Sequence, residues 1–232
     1  MNTHHQELLT LYTSDTSRYA SKLGTSYVGS TKTRYPIATP TVRKLIKKWL
    51  KGVVLTPAAY KALLSSLAQG KSHTEYSTVG KLLEYCPTLR KTLDPHVLDT
   101  WLDYAEGWAE VDTLCQNTFS AEELLARWQV WYTIIKSYTT SKNIHKRRAS
   151  LVLLTGCVRN SGDTRLAHLA FQNIDTLKGQ KDILITKAIS WLLRSLISYH
   201  RAEVKAYITH NTTTLPKIAL RETMHKLNTG KK

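Results

Sequence analysis

Apolar residues recur along this chain at spacings of three and four, segment after segment, with short polar connections between the segments. That period belongs to helices that bury one face. It predicts helices over residues 7–12, 18–23, 41–51, 57–69, 74–85, 95–104, 108–119, 121–138, 144–158, 164–173, 181–199, 202–210 and 216–227. No segment sustains the alternation of a half-buried strand, so the expected class is all-α. The run from Gly24 to Pro40 is rich in Gly, Ser, Thr and Pro and reads as a loop. At its end Thr39-Pro40 offers an N-cap and a first-turn proline to the helix that follows. Many short helices on short turns, near the spacing of two-helix repeats, predict a single α-solenoid domain of HEAT-like repeats over residues 1–232. Within it residues 1–40 form irregular helices and a loop, and 228–232 a frayed tail.

Charge adds a partner to that outline. Lys and Arg number 33 against 17 Asp and Glu, a formal net charge of +16. The cations are spread over Arg43–Lys51, Lys142–Arg148, Lys178–Lys187 and Lys217–Lys232 rather than gathered in one tail. A folded scaffold with distributed positive charge suits a polyanion, and the concave face of a basic solenoid is a cradle for a nucleic-acid duplex. A generally basic, solvated surface is the other reading. Cys86, Cys115 and Cys157 are widely separated in apolar contexts, which argues against a disulfide framework and for a reducing compartment. Neither a signal peptide nor an apolar run of membrane-spanning length is evident, so a soluble, cytoplasmic protein without membrane contact is expected. His4 and His5 form a pair able to hold a metal; more often such a pair is solvated and idle.

The stretch Gly107-Trp-Ala-Glu-Val-Asp-Thr-Leu-Cys-Gln-Asn117 carries the first candidate chemistry. On a helix Trp108 and Asp112, four residues apart, sit one above the other. Val111, Leu114 and Cys115 form the apolar stripe, with Asp112 at its edge. A carboxylate held against an indole at the rim of a core is a poor choice for stability. It suits a site where positive charge develops on a bound molecule. A surface aspartate beside a core tryptophan is the alternative.

In the 181–199 helix the core stripe is Ile185, Ala188, Ile189, Leu192, Leu193, Leu196 and Ile197, and Trp191 falls outside it with Lys187, Arg194 and Ser198. An indole on a polar face between two cations fits a contact on nucleic acid, or else a tryptophan covered by a neighbouring helix. Asn143-Ile-His-Lys-Arg-Arg-Ala-Ser150 opens another helix with consecutive basic residues. Cations there oppose the helix macrodipole unless an anion is bound at that end. Arg147 aligns with Leu151 and Leu154, Arg148 with Val152 and Thr155, and periodicity does not say which of the two faces a ligand. The sequence has no phosphate-binding G-x-x-x-x-G-K loop, H-E-x-x-H, G-x-S-x-G or zinc spacing, and no helix-hairpin-helix with a lysine nucleophile.

Taken together, Trp108-Ala-Glu-Val-Asp112, the Arg147-Arg148-Ala149 helix and Lys187-Ala-Ile-Ser-Trp191-Leu-Leu-Arg194 resemble the AlkD-type DNA alkylation repair family. Ile37-Ala-Thr-Pro40 followed by Val42-Arg43, with Tyr27 before it, matches the N-terminal pattern of that family. The resemblance extends over nearly the whole chain. It implies a HEAT-like-repeat DNA glycosylase that excises cationic N3- or N7-alkylated purines from duplex DNA. Asp112 would then be the catalytic carboxylate, Trp108 and Trp191 aromatic walls around the lesion's sugar and backbone, and Arg148 a phosphate contact. Tyr27, Arg43, Arg147, Lys187 and Arg194 would be further DNA contacts. Neither cofactor nor metal is called for, and a monomer is expected. Where the family often has an aromatic residue shortly before the arginine pair, this chain has His145-Lys146, a departure that affects positioning more than charge. Two rivals remain: a non-catalytic protein of the same fold that binds damaged or branched DNA, and a scaffold for RNA or an acidic protein.

Overall fold

Capping chemistry marks six of the described helix starts. The computed structural model describes residues 2–14, 29–116 and 118–231. Among the described residues there are fourteen helices and no strand. They are α1 (Thr3–Ser14), α2 (Thr39–Leu50), α3 (Pro57–Ala68), α4 (His73–Tyr85), α5 (Pro87–Lys91), α6 (Val97–Asp103), α7 (Trp108–Cys115), α8 (Ala121–Ala126), α9 (Trp128–Tyr138), α10 (Ile144–Asn160), α11 (Thr164–Leu177), α12 (Ile183–Leu196), α13 (Arg201–His210) and α14 (Lys217–Thr229). The all-helical expectation holds.

Ser72 and Glu75 form a capping box at α4, Ser120 and Glu123 another at α8, and Asn143, Asp163 and Asp182 cap α10, α11 and α12. Each cap satisfies backbone N–H groups that the first helical turn leaves without partners. At α2 the expected cap is displaced by one residue. Ala38 is the N-cap, Thr39 is already helical, and Pro40 sits in the first turn, where its missing N–H costs nothing.

Two other expectations shift, and one short helix was not expected. The 121–138 segment divides at Arg127, whose φ of −125° and ψ of 42° end α8 and start α9. Leu124 and Trp131 stay in phase across the break and are both buried, so periodicity alone passes over it. The 108–119 helix stops at Cys115, and Phe119 turns to pack on Trp131 at a ring separation of 4.8 Å. Short α5 begins on Pro87 in a stretch that has too few residues for a helical period to register. The expected 18–23 helix lies outside the described residues.

The chain divides into two compact units, Met1–Leu114 and Cys115–Lys232. In the first, Leu8, Ile46, Leu63, Leu64, Leu67, Val79, Leu82, Leu83 and Leu98 form a dry core. Several large side chains with polar atoms are paired within it. Tyr12 meets Thr78 at 2.9 Å, Tyr60 donates to the Leu82 carbonyl at 3.0 Å, Tyr76 to that of Trp101 at 2.9 Å, and the Trp101 indole to Ser65 at 3.1 Å. His5 corrects an expectation. It is buried, donates through Nε2 to Glu75 at 2.9 Å and meets the Ser66 hydroxyl through Nδ1 at 2.8 Å, so it fastens α1 to α3 and α4.

In the second unit α10 is buried from Arg148 to Val158 and forms the axis of the packing. Each helix from α9 onward packs on the next, and α10 also packs on α12 and α12 on α14. Contact with the next neighbour but one is how paired-helix repeats stack.

Candidate functional site

Helix α7 presents its residues as the 3.6-residue period requires. Val111, Leu114 and Cys115 are buried, while Trp108 and Asp112 share the adjoining face and are each half-buried. The middle of α7 is pressed against α4. A Cβ on Gly80 would lie 2.1 Å from the Thr113 carbonyl oxygen and 2.6 Å from its Cγ2, so only glycine allows the two helices to come this close. The contact fixes the turn that carries Asp112.

A second anchor holds the start of the helix. Glu110 is fully buried, and its Oε1 accepts from the Ser30 hydroxyl at 2.8 Å and from His73 Nδ1 at 3.2 Å. Its Oε2 accepts from the Glu106 amide at 2.6 Å and lies 3.9 Å from Lys32 Nζ. Burial alone pushes this carboxyl up, but the hydrogen bonds from His73 and the Glu106 amide, the Lys32 charge and the Ser30 hydroxyl outweigh it and hold the group at about 2. The neighbouring Glu106 accepts from the Thr31 amide at 2.9 Å and the Thr31 hydroxyl at 2.8 Å. Lys32 donates to the Tyr104 carbonyl and lies 4.5 Å from the centre of the Tyr76 ring. Gly29, at a φ of +67°, adopts the left-handed backbone that glycine tolerates, beside Gly107 and Trp108. Residues 29–32 thus form a strap across the first turn of α7.

The remaining predicted residues divide by role. On α12 Lys187 is exposed and Trp191 and Arg194 are half-buried, so this face is the polar one. Arg194 is partly engaged, 3.2 Å from Glu222 and donating through Nε to the Ser190 carbonyl at 3.2 Å. Arg147 donates to the carbonyls of Ser141 at 2.7 Å and Lys142 at 2.9 Å, and to Gln180 at 3.2 Å. Arg148 is buried and donates to the Leu184 carbonyl at 2.6 Å, which brings it to the start of the helix bearing Lys187, Trp191 and Arg194. These arginines secure helix ends. In the first unit Arg43 is exposed, 2.8 Å from Glu84 and 2.7 Å from the Tyr85 hydroxyl. Tyr27 lies outside the described residues.

Residues 16–227 match the family described as DNA alkylation repair enzyme. The chain belongs to the DNA alkylation repair enzyme family. Among solved structures, this family member is similar to a predicted DNA alkylation repair enzyme from Enterococcus faecalis, with a TM-score of 0.67 over 88% of this chain and 93% of that one. The two share 16% sequence identity, so this likeness concerns the fold. Compared by sequence with curated proteins, the chain matches none. No helix is long and apolar enough to cross a membrane, and no three His, Cys, Asp or Glu converge as metal ligands, both among the described residues.

Sequence reasoning missed Glu110 and the strap residues that meet it. A signal was present in this family member's own motif. Glu110 and Asp112 are separated by about 200° around the helix, so the two carboxylates flank the apolar stripe on opposite sides. An acidic residue next to Leu114 within a buried arc requires donors, and neither a lysine nor an arginine stands at helical spacing from it.

Proposed function

We propose that this DNA alkylation repair protein is a monofunctional glycosylase that hydrolyses the N-glycosidic bond of N3- or N7-alkylated purines in duplex DNA and leaves an abasic site. The observation that carries the proposal is Asp112, half-buried one turn beyond half-buried Trp108, on a helix held by Gly80 on one side and Glu110 on another.

An alkylated purine bears formal positive charge, so the base leaves with the electron pair of the glycosidic bond and departs neutral. Positive charge then spreads over the sugar. Asp112 stabilises that charge and orients a water that adds to the sugar carbon, its proton passing to solvent. The substrate brings its own activation, and the reaction written this way uses no lysine nucleophile, metal or cofactor. Trp108 and Trp191 are the aromatic surfaces offered to the sugar and backbone. Lys187, Arg43, Arg147, Arg148 and Arg194 are the phosphate contacts, with Tyr27 a further one. Binding through phosphates carries weak sequence preference and steep salt dependence.

Release of methylated purines from alkylated duplex, measured for wild type and Asp112→Asn, tests the reading. Loss of the carboxylate should slow release by roughly 10²–10³-fold. Equal release by both proteins would remove Asp112 from the mechanism. Release by neither, with retained binding to damaged duplex, would make the protein a non-catalytic binder.

A further inference from the structure

Asp112 and Trp108 sit on two turns of α7, and the buried side of those turns carries a carboxylate that the proposed chemistry does not use. Glu110 has no exposed surface, yet four groups from three separate parts of the chain converge on it: Ser30, Lys32, His73 and the Glu106 amide. Removing a carboxylate from water is costly, and well-packed apolar residues usually stabilise such a position at least as well. What a satisfied polar network adds is a single geometry, because each donor fixes the direction of its partner. Here the geometry concerns the strap. The Ser30 hydroxyl, the Thr31 amide and hydroxyl, and the Lys32 ammonium all end on the segment Tyr104–Glu110, through Glu110, Glu106 and the Tyr104 carbonyl. Gly29 brings its backbone to a distance at which a Cβ would be 3.7 Å from Gly107 Cα and 4.0 Å from Trp108 Cδ1. The strap therefore passes beside the Trp108 indole at Gly29.

We propose that Glu110 is a positioning residue: by locking residues 29–32 over the first turn of α7 it sets the orientation of Trp108, and with it the geometry in which Asp112 meets the sugar. The inference rests on the glycosylase reading for its catalytic consequence and on the network alone for its structural one. Glu110 reaches neither substrate nor reacting atoms; it acts through Trp108.

Glu110→Gln keeps the shape but places an NH2 group where a carboxylate oxygen accepts from backbone or side chain, and Ser30→Ala removes a single donor from the strap side. Both are compared with wild type in single-turnover base release from a duplex bearing one 7-methylguanine, in affinity for the same duplex unmodified, and in the 19F spectrum of protein labelled with 5-fluorotryptophan. The Trp108 resonance is assigned with Trp108→Phe. A misplacement of about 1 Å in a reacting constellation costs up to roughly 100-fold. Glu110→Gln is thus expected to slow release by about 10- to 100-fold and Ser30→Ala by roughly 3- to 10-fold, with affinity unchanged within about twofold. Because both act through one strap, the double variant should be no slower than Glu110→Gln. The Trp108 resonance should move in both variants while those of Trp128 and Trp191 stay in place.

An unmoved Trp108 resonance with wild-type release overturns the proposal. So does movement of all the tryptophan resonances, which would assign Glu110 to general stability. If wild type itself releases no base, the glycosylase reading fails, and the Trp108 resonance alone decides the positioning role.

Discussion

Gly80 lies so close to Thr113 that a single methyl group on it would come 2.1 Å from the Thr113 carbonyl oxygen. Two opposing effects bear on Gly80→Ala. Alanine in mid-helix is favoured over glycine by about 0.5–1 kcal/mol. Overpacking a filled interface costs about 1–3 kcal/mol, and more when the obstruction is backbone rather than a flexible side chain. At this distance the second effect wins. Gly80→Ala should lower stability by about 2 kcal/mol in denaturant titration, and should slow base release beyond what the melting temperature explains, since the displaced turn carries Asp112. A variant as stable as wild type would mean that α7 can move away from α4 without cost.

The low pKa of Glu110 gives acid stability a defined sign. The folded carboxyl titrates at about 2 against an ordinary value of 4.5, so its contribution is fully present above the ordinary value and is lost as pH falls toward the folded one. The full shift corresponds to a contribution on the order of 3 kcal/mol. Comparison with Glu110→Gln isolates it from the other carboxylates. The melting temperature of wild type should exceed that of the variant at about pH 6, and the gap should close steadily below about pH 4.5. A gap that stays constant over that range would show that the carboxylate is not what the network stabilises.

How far the sequence discloses this protein depends on the range of the interaction involved. The face of α12 was legible because seven apolar positions repeat in phase and leave Lys187, Trp191 and Arg194 on the other side, where the structure has them. The pairing of Trp108 with Asp112 on one face follows from helical geometry in the same way. The anchors of α7 were not legible, because Ser30 and Glu110 are 80 residues apart and Gly80 and Thr113 come from separate helices. Local periodicity carries no record of such contacts. His5 was misjudged for the same reason, since its partner Glu75 is 70 residues away. Nor does spacing alone choose between Arg147 and Arg148. The structure gives Arg148 the buried place because its guanidinium meets the Leu184 carbonyl on a different helix.

Like Glu110, Lys81 has a lowered pKa, but here burial is the dominant cause and the group gains no stabilising partner for its charge that outweighs it. Its ammonium is buried on α4, donating to the Ser77 carbonyl at 3.0 Å and the Ser77 hydroxyl at 2.9 Å. Burial, helped by the nearby Arg43 charge and opposed by Glu84, lowers its pKa to about 8 from 10.5. Between those two values the unfolded chain holds a proton that the folded one has released, so stability rises with pH across that window. Lys81→Met removes both the rise and the buried charge. It should be more stable than wild type at neutral pH by about 1–3 kcal/mol, an advantage that shrinks toward pH 10.5. Stability curves for the two proteins that run parallel from about pH 8 upward would contradict the burial argument.

The basic residues of the second unit should differ in how much of the fold each one holds besides any contact to DNA. Lys187 is exposed and makes no ion pair among the described residues, so it is available to a phosphate without loss of any bond inside the protein. Arg148 is buried, and its removal leaves the Leu184 carbonyl without that donor. Lys187→Gln should leave the melting temperature unchanged and make the slope of log K for duplex against log salt shallower by about 0.9, the release of one counterion. Arg148→Ala should instead lower stability by about 1.5–3 kcal/mol, as expected for loss of a charge-assisted hydrogen bond. Isothermal binding at a series of salt concentrations, run beside thermal melts, distinguishes the two. If Lys187→Gln binds with the wild-type slope, the Trp191 face of α12 is not where the phosphates lie, and the aromatic wall assigned to Trp191 goes with it.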